Sequence, residues 1–264
     1  MTNETTDKPT IVVKIGGSTL GAHDTTLQDV VALQAQGTPP IVVHGGGAVV
    51  TQWLELHQIP TQFVRGLRVT DAQSLEVVTA VLAGLVNKEL VASIQALGGR
   101  AIGMSGADGG FIQAEPADPD LGYVGRVTGI DLAPLQTVMS GGYIPVISTV
   151  ALDPKITEGP RLLNCNADTV AGELAAVLNA DTLVFLTDVP GIYDSNKAVI
   201  AHLSKERAEA LLAEGTASGG MIPKIEACLR AREGNARSYI VDGREPHMLL
   251  GTLKDGGTSG TAVW

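Results

Sequence analysis

Short runs of β-branched residues, each followed by a segment of helical period, recur along the whole chain, and this alternation constrains the fold more than any other feature. "TIVVKI" (10–15) and "PIVVH" (40–44) are apolar almost throughout, the pattern of strands buried on both faces. "RAIGM" (100–104), "YIPVIS" (143–148), "TLVFLTD" (182–188) and "SYIV" (238–241) repeat it, and "GTAVW" closes the chain. Helical stretches lie between the strands. One follows Asp24, with Leu27, Val30, Val31 and Leu33 on one face, and another follows "HGGG" with Val49, Val50, Trp53 and Leu54. Asp71 opens a long helix that ends at Gly98-Gly99; an Ala-rich helix covers 166–179, and two more lie near 204–214 and 221–233. Such an order implies an α/β fold, a three-layer αβα sandwich with a mostly parallel central sheet. "FVRGLRV" (63–69) reads as a hairpin and the glycine-rich 105–130 as a second hairpin region.

The chain of 264 residues is long enough for one large domain or two lobes, and the best boundary lies near 178–181. This divides it into an N-terminal lobe, 1–178, and a C-terminal lobe, 179–264. Only 3% of residues are aromatic, so Val, Ile, Leu and Ala must build the core. A formal net charge of −10 without a basic run excludes a nucleic-acid partner, which needs a phosphate-neutralising surface. No uninterrupted apolar run reaches the roughly 20 residues that span a bilayer, so no membrane partner is expected. "MTNETTDKP" is polar and has no signal-peptide pattern, and a cytoplasmic protein is expected. Cys165 and Cys228 form neither a disulfide framework nor a metal motif, and no protein metal site is expected.

In parallel sheets ligands bind beyond the carboxyl ends of the strands. Gly16-Gly17, Gly45–Gly47 and "SGADGG" all fall there. Without Cβ atoms, backbone N–H groups can close on an anion, and a following helix N-terminus adds its dipole. The alternative for each loop is a tight turn that requires a small residue, and neither "KIGGS" nor "HGGGA" fits the dinucleotide pattern G-x-G-x-x-G. Lys14, ending an apolar run, is either a snorkelling surface residue or the ligand of an anion. Lys224, in "GGMIPKIEA", stands at a helix start, where a cation is unfavourable unless it shares an anion. In "NCNAD", Asn166 or Asp168 could simply cap a helix; alternatively Asn164 orients a substrate while Asp168 holds the lysines. Arg68 suits a carboxylate, or is solvated at the surface. His44, with no carboxylate or second histidine near it in sequence, reads as structural.

These motifs in this order resemble the amino-acid kinase superfamily and, within it, the N-acetyl-L-glutamate kinases. The resemblance runs from "IVVKIGGSTL" and "IVVHGGGAVV" through "FVRGLRVTD", "VLAGLVNKELV", "GMSGADGG", "GYIPVIS", "NCNAD", "FLTDVPGIYD" and "GGMIPKIEA" to "VDGREPHMLL", with "GLRVTD" and "AGLVNK" its most specific parts. It implies the carbamate kinase-like fold and transfer of a phosphoryl group from ATP to N-acetyl-L-glutamate. On this resemblance Lys14 and Lys224 stabilise the transition state, and Asp168 orients both ammonium groups. Amides of Gly17 and Gly46 hold the phosphoryl group, while Gly46, Gly47, Arg68 and Asn164 hold the substrate. Thr187, Asp188, Gly191, Ile192 and Tyr193 line the nucleotide pocket, completed by Ser218 and Gly220 in the loop at 216–221. Magnesium is carried by ATP oxygens and water. Arginine-inhibited members carry an additional helix before the first strand; only about nine polar residues precede it here, which implies an arginine-insensitive homodimer built on the 71–97 helix and adjacent sheet. Two other readings remain. A kinase of carrier-linked aminoadipate would require a more basic docking surface and departs from "GLRVTD". A non-catalytic sensor would have little use for Lys14, Lys224 and Asp168 together.

Overall fold

The computed structural model describes residues 8–16, 25–64, 66–159, 161–194, 196–215, 219–256 and 259–264. The first half contains β1 (Ile11–Ile15), α1 (Thr26–Ala35), β2 (Ile41–His44), α2 (Gly47–Leu56), and the hairpin β3 (Phe63–Val64) and β4 (Leu67–Arg68). A continuous helix follows: α3 (Ala72–Thr79), a π-helical stretch Ala80–Val86, and α4 (Asn87–Ala96). Then come β5 (Ala101–Ser105), β6 (Ile112–Pro116), β7 (Val124–Ile130), α5 (Leu132–Ser140), β8 (Ile144–Ser148), β9 (Val150–Leu152), β10 (Leu162–Cys165) and α6 (Ala167–Val177). The last part contains β11 (Thr182–Thr187), β12 (His202–Leu203), α7 (Lys205–Ala213), α8 (Met221–Glu233), β13 (Arg237–Asp242), α9 (Met248–Asp255) and β14 (Thr261–Val263). No sequence expectation covered α5, β9, β10, β12 or α9. Asp24, expected to cap α1, lies outside the described residues.

Eight strands form the main sheet in the order β12-β14-β13-β11-β1-β2-β8-β5, all parallel except for the antiparallel β13–β14 pair. The expected parallel strands are its centre, and the sheet continues unbroken across the expected lobe boundary through the β1–β11 ladder. β6, β7, β9 and β10 close into a small ring of their own, with a bulge at Gln113/Ala114. Helices cover both faces, as a sheet buried on both sides requires.

The two-residue period of β1 assigns its side chains to opposite layers. Ile11, Val13 and Ile15 pack with α1, the 72–96 helix and α9, whereas Val12 faces the layer of α6 and α8. Lys14 follows Val12 at that spacing, so the strand itself carries its ammonium toward the starts of those two helices. There α6 and α8 pack backbone to backbone: a Cβ on Gly172 would lie 2.8 Å from Ala227 Cα. The 72–96 helix is long and apolar enough to cross a membrane by length and composition. Val78, Val81, Leu82, Val86, Leu90 and Ile94 lie on the buried side of the helix, against the sheet.

Candidate active site

Lys14, Asp168 and Lys224 meet in one cluster. Lys14 Nζ lies 2.8 Å from Asp168 Oδ1, and Lys224 Nζ donates to Asp168 Oδ2 at 3.0 Å and to Gly220 O at 3.2 Å. Lys14 comes from the β1 end, Asp168 from the first turn of α6 and Lys224 from the first turn of α8. Both readings of "NCNAD" apply together. Asn166 caps α6, its Oδ1 accepting from the Asp168 and Thr169 amides, which leaves the Asp168 carboxylate for the lysines. Burial pushes the Asp168 carboxyl upward, but the two ammonium groups outweigh it and hold it below the usual carboxylate range. One carboxylate between two cations leaves the cluster net positive.

A cavity of about 180 Å³ opens beside it, lined by Gly45, Gly46, Gly47, Arg68 and Asn164 among others. Helices α2 and α6 both begin at its wall. Among the described residues the Gly46 and Gly47 N–H groups make no hydrogen bond, and no side chain caps α2. This end of α2 can receive an anion. Arg68 is 8% exposed. Its Nη2 donates to Gly47 O at 3.0 Å and Thr51 Oγ1 at 2.8 Å, Nη1 to Thr61 Oγ1 at 3.4 Å, and the guanidinium stacks on Phe63. No described carboxylate pairs with it, so a buried cation beside the cavity has only neutral oxygens for company. Asn164 Nδ2 donates to Thr70 Oγ1 at 3.1 Å, and Thr70 donates to Arg68 O, which ties the two residues through one hydroxyl.

The residues expected around a nucleotide are less closely gathered. Thr187 ends β11 beside β1, and its hydroxyl donates to Asp188 at 3.3 Å. Ile192 is buried and its amide donates to Thr261 Oγ1, so that side chain belongs to the core. Gly191 packs against the same threonine, and Tyr193 is exposed. Gly220 opens α8 and meets Lys224 through its carbonyl. Gly17 and Ser218 lie outside the described residues. Sequence reasoning did not find Thr51 and Thr61, which steady Arg68, or Asn87, which lies under the second glycine loop. His44 is buried and does not line the cavity. Burial pushes both cysteine thiols up to about 12, which removes them as nucleophiles.

Residues 9–242 match the amino acid kinase family. The chain is 42% identical to the acetylglutamate kinase of Dehalococcoides mccartyi over 255 residues, covering 96% of this chain and 94% of that protein. It is 45% identical to that of Gloeobacter violaceus over 267 residues, covering 96% and 87%. Among solved structures, smu.665 from Streptococcus mutans superposes with a TM-score of 0.82 at 28% identity, covering 96% of this chain and 97% of that one. Carbamate kinase from Giardia lamblia bound to AMP-PNP superposes with a TM-score of 0.72 at 16% identity, covering 97% and 98%, a likeness of fold alone.

Proposed function

The chain belongs to the amino acid kinase family and, within it, to the acetylglutamate kinases; from that premise we propose how its own residues carry the transfer of the ATP γ-phosphoryl group to the side-chain carboxylate of N-acetyl-L-glutamate. The product is N-acetyl-L-glutamyl 5-phosphate, an acyl phosphate of arginine biosynthesis, made by a soluble enzyme of the cytoplasm. The observation that carries the reading is the buried Lys14–Asp168–Lys224 cluster beside a cavity holding an unpaired guanidinium.

The acceptor is a carboxylate, ionised at pH 7, so its attack needs no general base. The obstacle is repulsion between two anions, and fixed positive charge removes it. Lys14 and Lys224 serve from opposite sides, and Asp168 keeps both ammonium groups in place without neutralising both. The Gly46 amide, with that of Gly17, receives the phosphoryl oxygens. Arg68 takes the α-carboxylate of the substrate, and Asn164 and the Gly46–Gly47 backbone fix its orientation. Thr187, Asp188, Gly191, Ile192 and Tyr193 line the nucleotide side through backbone and exposed groups, with Ser218 and Gly220 closing it. Magnesium arrives on ATP, held by phosphate oxygens and water, and neutralises charge on the phosphates. Residues 1–178 thus serve the acceptor and 179–264 the nucleotide. The outward face of the 72–96 helix, with Ala80, Gly84 and Ala92 exposed, serves as the interface of a homodimer.

A coupled assay of ADP release, with and without N-acetylglutamate, tests the reaction. Turnover is expected to depend on N-acetylglutamate, and not on free aspartate, UMP or carbamate. Lys14→Ala or Lys224→Ala should lower kcat by about 100-fold or more with far smaller changes in KM. Tight ATP binding without acceptor-dependent turnover would instead indicate a sensor, and turnover only with a carrier-linked substrate the aminoadipate relative.

A further inference from the structure

"AGLVNK" (83–88) is among the most specific motifs of the sequence, yet none of its residues touches the cluster or lines the cavity. Asn87 is fully buried and follows directly on the π-helical stretch. Its Nδ2 donates to Val146 O at 2.8 Å and to His44 Nε2 at 3.1 Å, and its Oδ1 accepts from Lys88 Nζ at 2.9 Å. Gly103 makes room for that amide, since a Cβ there would fall 2.0 Å from Asn87 Oδ1. With Nε2 accepting, His44 carries its proton on Nδ1, which donates to Gly45 O at 2.8 Å. The Gly45 carbonyl and the Gly46 N–H share one planar trans peptide, so fixing the direction of one fixes the other. Glycine loops otherwise place little restraint on that plane. The same helix also holds the loop directly: a Cβ on Gly46 would lie 2.6 Å from Leu82 Cδ2 and 3.4 Å from Val86 Cγ2.

We propose that Asn87 and His44 are positioning residues that lock the Gly45–Gly46 peptide and keep its N–H aimed into the cavity. This rests on the function proposed above, in which that amide receives the phosphoryl group. The ring is well suited to the task, because burial, countered by the Gly45 bond and aided by Lys88, lowers its pKa to about 4 and keeps a single tautomer through the neutral range. Lys88 is the charged group facing the pair; Ile15 and Ser148, its neighbours on the sheet, do not titrate in this range.

The decisive variant is Asn87→Asp. At low pH the histidine and the introduced carboxylate share a proton, and Nδ1–H still holds Gly45 O. Once that proton leaves, Nε2–H turns to the carboxylate, and a lone pair on Nδ1 faces the Gly45 carbonyl. Relative to the wild-type protein, kcat of the variant should therefore fall about tenfold or more as pH rises from about 5.5 to 8.5, and recover on return. A constant ratio across that range would overturn the proposal. If this variant does not fold, His44→Asn and His44→Gln decide. An asparagine amide reaches the δ position and a glutamine amide the ε position, so Asn should retain about tenfold more kcat than Gln. Equal or reversed values would refute the lock. Nitrogen-15 NMR of the wild-type imidazole should show Nδ1 protonated, and protonated Nε2 with bare Nδ1 would equally refute it. Loss of acceptor-dependent turnover in the wild-type protein would overturn the functional reading alone, since the ring and Gly46 amide shifts still report on the lock.

Discussion

At the scale of single residues, Asp168 shows why a carboxylate can be retained where burial opposes it. Two ammonium groups lie within 3.0 Å of its oxygens, and their attraction exceeds the cost of desolvation. Its folded pKa is depressed, so the stability it contributes is present above the unfolded value and is lost as pH falls through the folded one. Asp168→Asn leaves two buried lysines facing each other and should lower stability at pH 7 by about 3 kcal/mol. For a chain of this size that is a fall in Tm of roughly 6–12 °C. Thermal unfolding across pH checks the sign: the gap to the wild-type protein should narrow once pH falls below about 4, and a gap unchanged down to acid unfolding would contradict the assignment. The sequence marked Lys14, Asp168 and Lys224 because each residue type sat where its null role was uncomfortable, a cation at a helix start above all. It gave no hint of Thr51, Thr61 or Asn87, whose importance lies in partners 17, 7 and 43 positions away.

At the scale of elements, glycine means different things in different helices. In α6 a Cβ on Gly172 would strike the Ala227 backbone, which cannot move aside as a side chain can. In α9 a Cβ on Gly251 would meet nothing within 4 Å. Helix propensity favours alanine at both by about 1 kcal/mol, but overpacking costs about 1–3 kcal/mol at the first. Gly172→Ala should therefore lower Tm by several degrees and Gly251→Ala raise it slightly, as differential scanning calorimetry would show; a stabilised Gly172→Ala would mean the two helices separate cheaply. The central strands were legible because fully buried β-branched runs have few alternatives. β9 and β10 have three and four residues and pair across a charged loop, too short for any period to emerge. α5 begins with a proline in its first turn, and α9 starts from a left-handed His247 and contains Gly251, so neither presents a strong helical signature. The π-helical turn left no mark either: "AVLAGLV" is equally apolar on an ordinary helix, and only packing against Gly46 distinguishes the two.

At the scale of the whole molecule, one sheet joins both halves, and the 72–96 helix lies across it with a face of small residues turned outward. Small side chains permit a second copy to approach closely. Sedimentation should give about twice the 27.3 kDa chain mass, and Ala80→Arg should return it to one. A wild-type monomer, or a dimer indifferent to that change, would remove the interface. Topology carries one more consequence. β14 runs against β13, so Val263 lies in the same cross-sheet row as Ser238, Leu183 and Val12. Three ladders separate the first strand from the last, a gap of about 14 Å on the edge away from the lysines. A tether fixed at the entrance to β1 or the exit from β14 would leave the cavity mouth clear. About five residues of linker could join the two points, so the chain could be closed into a ring and reopened at a surface loop without crossing the site.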